Sequence, residues 1–197
     1  MKSRIFGLAP IGGPGSKILI LGSMPGERSL ELQQYYGHSM NQFWRILAEV
    51  FEAGEFRDYR GKKVLLQNRG IALWDVVKSC QRHGSSDLTI RKVKANDLCG
   101  FLRDHPGIRH ILMNGRAAEK YFSRFFSRIV PVPYDYVPST SPAHAGLSAI
   151  PTLIFFSGTV VGIAPISTSL KLIGIGTKTK VRLWKKAFVK TGILKNK

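Results

Sequence analysis

Three short apolar runs and one Pro-bounded run, separated by stretches of helical periodicity, restrict this chain to a small set of folds. The runs are Lys17–Leu21 (KILIL), Gly70–Trp74 (GIALW), Ile108–Met113 (IRHILM) and Pro131–Val137. Five near-consecutive apolar residues suit a strand covered on both faces, whereas a half-exposed strand would alternate. Between the runs, Phe43, Trp44, Leu47, Val50 and Phe51 recur at helical spacing after Asn41, and Gly54 is a natural stop. Gly61–Asn68 and Asp97–Asp104 read as shorter helices. Ala117–Phe126 reads as another, with Tyr121, Phe122 and Phe125 turned inward. Strands alternating with helices predict a parallel sheet between helical layers. The expected fold is therefore a three-layer α/β/α sandwich with a central, mainly parallel four-stranded sheet. The chain has 197 residues, the size of one domain, taken to run from 1 to 197.

Charge separates the chain into unlike parts. Thirty Lys and Arg against twelve Asp and Glu give a formal net charge of +18, which favours a polyanionic partner and long-range steering towards it. All twelve acids lie at or before Asp135; Tyr136–Leu170 has no charged side chain; Lys171–Lys197 has nine Lys or Arg. The uncharged stretch is long enough to cross a bilayer. However, Pro151, Gly158, Gly162, Pro165 and many β-branched residues favour extra strands joined by a turn, an insertion over 147–180. Residues 181–197 read as a basic terminal helix and tail, with Val181, Trp184, Ala187 and Phe188 on one face. Those basic residues suit phosphate contacts or a solvated tail equally well. Cys80 and Cys99 have neither metal-ligand spacing nor a disulfide pattern, and Met1–Ser16 lacks the apolar run of a signal peptide. The expected setting is the cytoplasm, at the nucleoid in a prokaryote.

Ligands of an open parallel sheet bind at the carboxyl ends of its strands. The first such end here carries Gly22-Ser23-Met24-Pro25-Gly26. Alone this is a turn. With its continuation, LGSMPGERSLELQQYYGHSMNQFW over Leu21–Trp44, it resembles the first motif of the uracil-DNA glycosylase superfamily. The hypoxanthine-DNA glycosylase branch (the sixth family) is the nearest likeness. Pro138-Ser139-Thr140-Ser141-Pro142-Ala143 resembles that branch's second motif, and GIALWDV and ILMNGRAAEKYF resemble its intermediate segments. His144 stands where the branch usually has Asn, and Ser39 where it has Pro. KVRLWKKAF, from Lys180 to Phe188, resembles the branch's last helix, displaced by the uncharged stretch.

The resemblance implies a monofunctional DNA glycosylase that hydrolyses the N-glycosidic bond of deaminated bases. Hypoxanthine is the expected base, with uracil as a second. A mismatch-specific uracil or thymine glycosylase and a non-catalytic DNA-binding relative are the alternatives. Asn41 takes the catalytic role, holding water at an oxocarbenium-like centre, or else caps a helix. Tyr36 stacks on the flipped base. The backbone of Gly22, Ser23, Met24, Pro25 and Gly26 binds the leaving base's carbonyl oxygen. Asp75 reads the base or caps a helix, and Asn114 is a site residue or a turn former with Gly115. Ser139, Thr140, Ser141, Pro142, Ala143 and His144 are the DNA-binding loop. His38 binds water or phosphate, or packs as a satisfied polar group. Neither motif holds a lysine to form an imine. No metal or other cofactor is expected, and the implied partner is double-stranded or single-stranded DNA, met by a monomer without membrane attachment.

Overall fold

The computed structural model describes residues 4–142 and 176–195. In chain order these form β1 (Ile5–Phe6), β2 (Ile18–Gly22), α1 (Glu27–Leu32), α2 (Phe43–Phe51), α3 (Tyr59–Asn68), β3 (Ile71–Asp75) and β4 (Val77–Gln81). After a 3₁₀ turn at Asp87–Thr89 come β5 (Arg91–Ala95), α4 (Leu98–Asp104), β6 (His110–Asn114), α5 (Arg116–Phe125), β7 (Tyr134–Val137) and α6 (Thr177–Lys190).

The predicted sheet is present. Its strands run in the order β3-β2-β6-β7 and every neighbouring pair is parallel. β2 and β3 are buried at all five positions, as their unbroken apolar runs require. α2 places Phe43, Trp44, Leu47, Val50 and Phe51 in the core, then ends in a left-handed Glu52. α3 starts two residues before the expected Gly61, because the Asp58 side chain accepts the Gly61 N–H and fixes the first turn there. Asp97 caps α4 in the same way, through the Gly100 N–H.

Three features depart from the sequence reading. A second sheet, β1-β4-β5, is antiparallel and was not anticipated. Its outer strand β5 carries Arg91, Lys92 and Lys94, mostly exposed, so it shows no apolar signal; charged edges of this kind prevent pairing with other chains. The short helix α1 was also missed. Finally, α6 begins at Thr177, so the boundary at 180 between insertion and terminal helix is corrected by one turn. The remainder of the 147–180 reading lies outside the described residues.

Helix α6 closes the core against α2. Trp184 and Phe188 are fully buried, with Trp184 edge-on to Phe43 at 5.8 Å and Phe188 against Phe51 at 4.9 Å. Trp184 Nε1 also donates to the Pro138 carbonyl at 3.1 Å. The last helix thereby braces the loop that follows β7.

Candidate active site

The four parallel strands end on one side, where Gly22 is in register with Asp75 and Asn114 with Val137. Above these ends lies a cavity of about 320 Å³. It is bordered by Gly22, Ser23, Met24, Pro25 and Gly26, by Tyr36, Asn41 and Asp75, and by Ser139, Thr140, Ser141 and Pro142. Every candidate residue within the described part of the chain thus meets in one place. Ala143 and His144 lie outside it.

Asn41 sits just before α2. Its Oδ1 accepts the Phe43 N–H at 3.0 Å, and its own N–H donates to the His38 carbonyl at 2.9 Å. The N-cap position itself belongs to Gln42, whose side chain makes no capping bond. Asn41 therefore performs a cap's duty from one residue further out while bordering the cavity. Its capping bond identifies Oδ1 as the atom facing the helix start, and an amide oxygen has a second lone pair left for water.

Tyr36 adopts the left-handed conformation at φ 53°, uncommon for an aromatic residue and maintained here by its surroundings. Its ring stacks on Phe43 at 3.9 Å with 21° between planes, so one face is already covered. The Asn114 side chain secures the other end, donating from Nδ2 to the Tyr36 hydroxyl at 2.9 Å. Tyr35, by contrast, is a core residue, 3 % exposed, its hydroxyl donating to the Leu8 carbonyl at 3.3 Å.

Asn114 links this wall to the Ser/Pro loop. Nδ2 also donates to Thr140 Oγ1 at 3.0 Å, and Oδ1 accepts the Thr140 N–H at 3.1 Å. Both amide hydrogens are therefore occupied, which makes Asn114 a brace and not a mere turn former. Thr140 in turn accepts the Gln42 N–H at its carbonyl, 3.0 Å away. The loop and the Asn41 segment are tied through one residue. Thr140 is wholly buried, and its hydroxyl accepts from Asn114 inside the protein. Ser139 and Ser141 are half-buried, with Ser139 Oγ accepting the Ser141 N–H. Gly115 permits this packing, since a Cβ there would lie 2.9 Å from that of Ser139, at a φ of 94°.

Asp75 is not a helix cap, because β3 continues through Val76 into β4 with no helix following. It is 4 % exposed, and its Oδ2 has no hydrogen-bond partner. Oδ1 rests against the α-carbon of Gly22, where any Cβ would overlap it. Burial first, then the charge of Asp87, pushes the Asp75 carboxyl up to about 8, against the pull of Arg82. Burial, and then Asp75, also pushes the Tyr36 phenol up, so it remains neutral.

One wall escaped the sequence reading. Arg82, Ser85 and Asp87, from the segment between β4 and β5, grip the GSMPG loop. Arg82 Nη2 donates to the Pro25 carbonyl at 2.6 Å, Ser85 Oγ accepts the Glu27 N–H at 2.9 Å, and Ser23 Oγ donates to Asp87 Oδ1 at 2.9 Å. His83-Gly84-Ser85-Ser86-Asp87 reads as an ordinary turn, and nothing in its spacing marks a site. His38 is exposed at the cavity rim, with Nδ1 accepting the Met40 N–H at 3.2 Å, so it is not packed inside as a satisfied core histidine. Among the described residues no group of His, Cys, Asp and Glu could hold a metal ion, and no helix is long and apolar enough to cross a membrane.

Residues 9–150 match the family model of the Uracil DNA glycosylase superfamily. A hypoxanthine DNA glycosylase of Methanosarcina barkeri (strain Fusaro / DSM 804) is 36 % identical over 117 residues, 58 % of this chain and 73 % of that protein. A hypoxanthine DNA glycosylase of Methanosarcina acetivorans is 40 % identical over 107 residues, 54 % of this chain and 68 % of the relative. A solution NMR structure of a candidate uracil DNA glycosylase from M. acetivorans superposes with a TM-score of 0.64 at 34 % identity, covering 72 % of this chain and 88 % of that one.

Proposed function

Because the chain belongs to the uracil-DNA glycosylase superfamily, we propose that it is a monofunctional DNA glycosylase removing deaminated bases, hypoxanthine foremost and uracil second. Its substrate is a lesion in double-stranded DNA, met by a monomer in the cytoplasm, at the nucleoid in a prokaryotic cell. The relatives named for hypoxanthine release support the choice of base. The observation that carries the reading is the convergence of Asn41, Tyr36, Asp75 and the Ser/Pro loop on one cavity at the carboxyl edge of the sheet.

The chemistry follows from the positions. A nucleotide must leave the duplex to reach the cavity, and its base then lies against the Tyr36 ring. Breaking the sugar–base bond leaves a cation at the anomeric carbon, which needs a held water more than a strong base. Asn41 Oδ1, fixed by the Phe43 N–H, accepts one hydrogen of that water through its second lone pair and aims the oxygen at the sugar. The cap prevents the amide from rotating, so no reorganisation is needed at the moment of attack. The GSMPG backbone faces the departing base. Ser139 and Ser141, on a loop braced by Trp184 and Thr140, face the phosphates. The net positive charge draws the protein to DNA irrespective of sequence.

Duplexes carrying one inosine, one uracil or one thymine mismatch, incubated with the protein and then treated with alkali, provide the test. Strand cleavage after alkali at inosine, and none before it, is expected. Binding without release at any lesion would instead identify a non-catalytic relative, and release only at mismatched thymine or uracil would transfer the chain to the mismatch-specific class.

A further inference from the structure

Asp75 holds a place in the cavity that base reading alone does not explain. A residue that reads a base by accepting one N–H needs only an ordinary carboxylate or amide. Asp75 is instead sealed to 4 % exposure, lies directly against the Gly22 backbone and leaves Oδ2 without a partner. A second carboxylate, Asp87, borders the same cavity and is oriented by the Ser23 hydroxyl. Two carboxylates in one poorly solvated site do not both ionise readily, and the more buried one keeps the proton. Two charged groups act on Asp75, Asp87 from the 3₁₀ turn and Arg82 just after β4, while the Tyr35 and Tyr36 phenols, from the segment before α2, are themselves pushed up by burial and by Asp75. Arg82, whose Nη2 donates to the Pro25 carbonyl at 2.6 Å, opposes retention of the proton, and burial together with Asp87 outweighs it.

We propose that Asp75 is the acid of the reaction, delivering its proton to the imidazole ring of the departing purine. This rests on the glycosylase reading and deepens it. As the bond between the anomeric carbon and purine N9 breaks, its electron pair passes into the ring. The Asp75 proton goes to the ring nitrogen N7, so hypoxanthine departs neutral. The water held by Asn41 adds to the sugar cation and loses one proton, and the Asp75 carboxylate regains a proton from solvent. The sum is one water consumed and one neutral base released. A pyrimidine presents no such nitrogen, so this acid favours purine lesions over uracil.

Two measurements test the assignment. The first is a ¹³C-carboxyl NMR titration of the free protein, with the Asp75 signal assigned through Asp75→Asn. Asp75 still protonated at pH 7 is expected, with a midpoint near 8 that falls in Asp87→Asn. The second is single-turnover release of hypoxanthine against pH. Wild type should lose rate above that midpoint, Asp87→Asn should lose it at lower pH, and Asp75→Asn should be slower by about a hundredfold with no alkaline decline. A thermal melt establishes that Asp75→Asn is folded, and the titration of wild type stands whether or not it is. An ionised Asp75 at pH 6, or an Asp75→Asn rate within threefold of wild type, overturns the acid and leaves the glycosylase reading intact. Failure of wild type to release any base would instead remove the glycosylase reading and the acid with it, whatever the titration gives.

Discussion

Replacing Asn114 by Ala removes three hydrogen bonds at once, those to the Tyr36 hydroxyl at 2.9 Å, Thr140 Oγ1 at 3.0 Å and the Thr140 N–H at 3.1 Å. Each such bond contributes about 1 kcal/mol net, and a buried donor left unpaired costs about 1–3 kcal/mol. The Thr140 N–H is such a donor, because Thr140 is wholly buried. The expected loss is therefore about 3–4 kcal/mol, several times the effect of a surface substitution. Guanidinium unfolding at unchanged slope measures it. Thr140→Val removes only the Oγ1 acceptor, so it should cost about 1 kcal/mol and should be less than additive with Asn114→Ala, since both delete the same bond. Base release should fall in Asn114→Ala even where the protein remains folded, because Tyr36 and the Ser/Pro loop lose their common tie. A stability loss below about 1 kcal/mol, or full additivity of the pair, would show that Asn114 does not brace the site.

Two other perturbations probe the frame around the cavity. Trp184→Ala should destabilise the protein by about 3–5 kcal/mol by emptying the α2–α6 contact, whereas Trp184→Phe, which retains most of the ring, should cost less and chiefly release the Pro138 carbonyl; thermal melts rank the two. Asp135 accepts from Lys190 Nζ at 2.6 Å and is paired with His110 Nε2 at 2.7 Å, joining β6, β7 and α6. Burial pushes this carboxyl up, but the hydrogen bonds from Lys190 and His110 outweigh it and hold the group below its ordinary value. A lowered carboxyl supplies stability above the unfolded value of about 4 and loses it as pH falls through the folded one. Asp135→Asn should therefore be less stable than wild type at pH 7, with the gap closing below pH ~4 in denaturant titrations.

The central sheet was legible because β2, β3 and β6 lie between helical layers and therefore carry little but apolar residues. The same physics concealed the β1-β4-β5 sheet, whose exposed positions Lys78, Arg91, Lys92 and Lys94 disperse any apolar pattern. At the site, the resemblance to the superfamily's motifs singled out Asn41, Tyr36 and the Ser/Pro loop, since each motif is one contiguous run. What sequence could not convey was which groups meet across the chain. Arg82 reaches Pro25 over 57 positions and Ser23 meets Asp87 over 64, and neither separation leaves a trace in local pattern. The burial of Thr140 was hidden for the same reason, being set by an amide 26 residues away. Asp75 reads from sequence as a base reader or a cap because a strand of a parallel sheet ordinarily leads into a helix, whereas here β3 leads into another strand.

The claim on which the account depends is that the Asn41 amide holds the attacking water. Single-turnover release of hypoxanthine from an inosine duplex, compared between wild type and Asn41→Ala, tests it most directly. Affinity for an abasic duplex is measured alongside, and Asn41→Ser keeps an oxygen for the Phe43 N–H and so controls for the lost cap. Release slowed by about a hundredfold or more in both variants, with abasic-duplex affinity nearly unchanged, is the predicted result. Release by Asn41→Ala within threefold of wild type would contradict it.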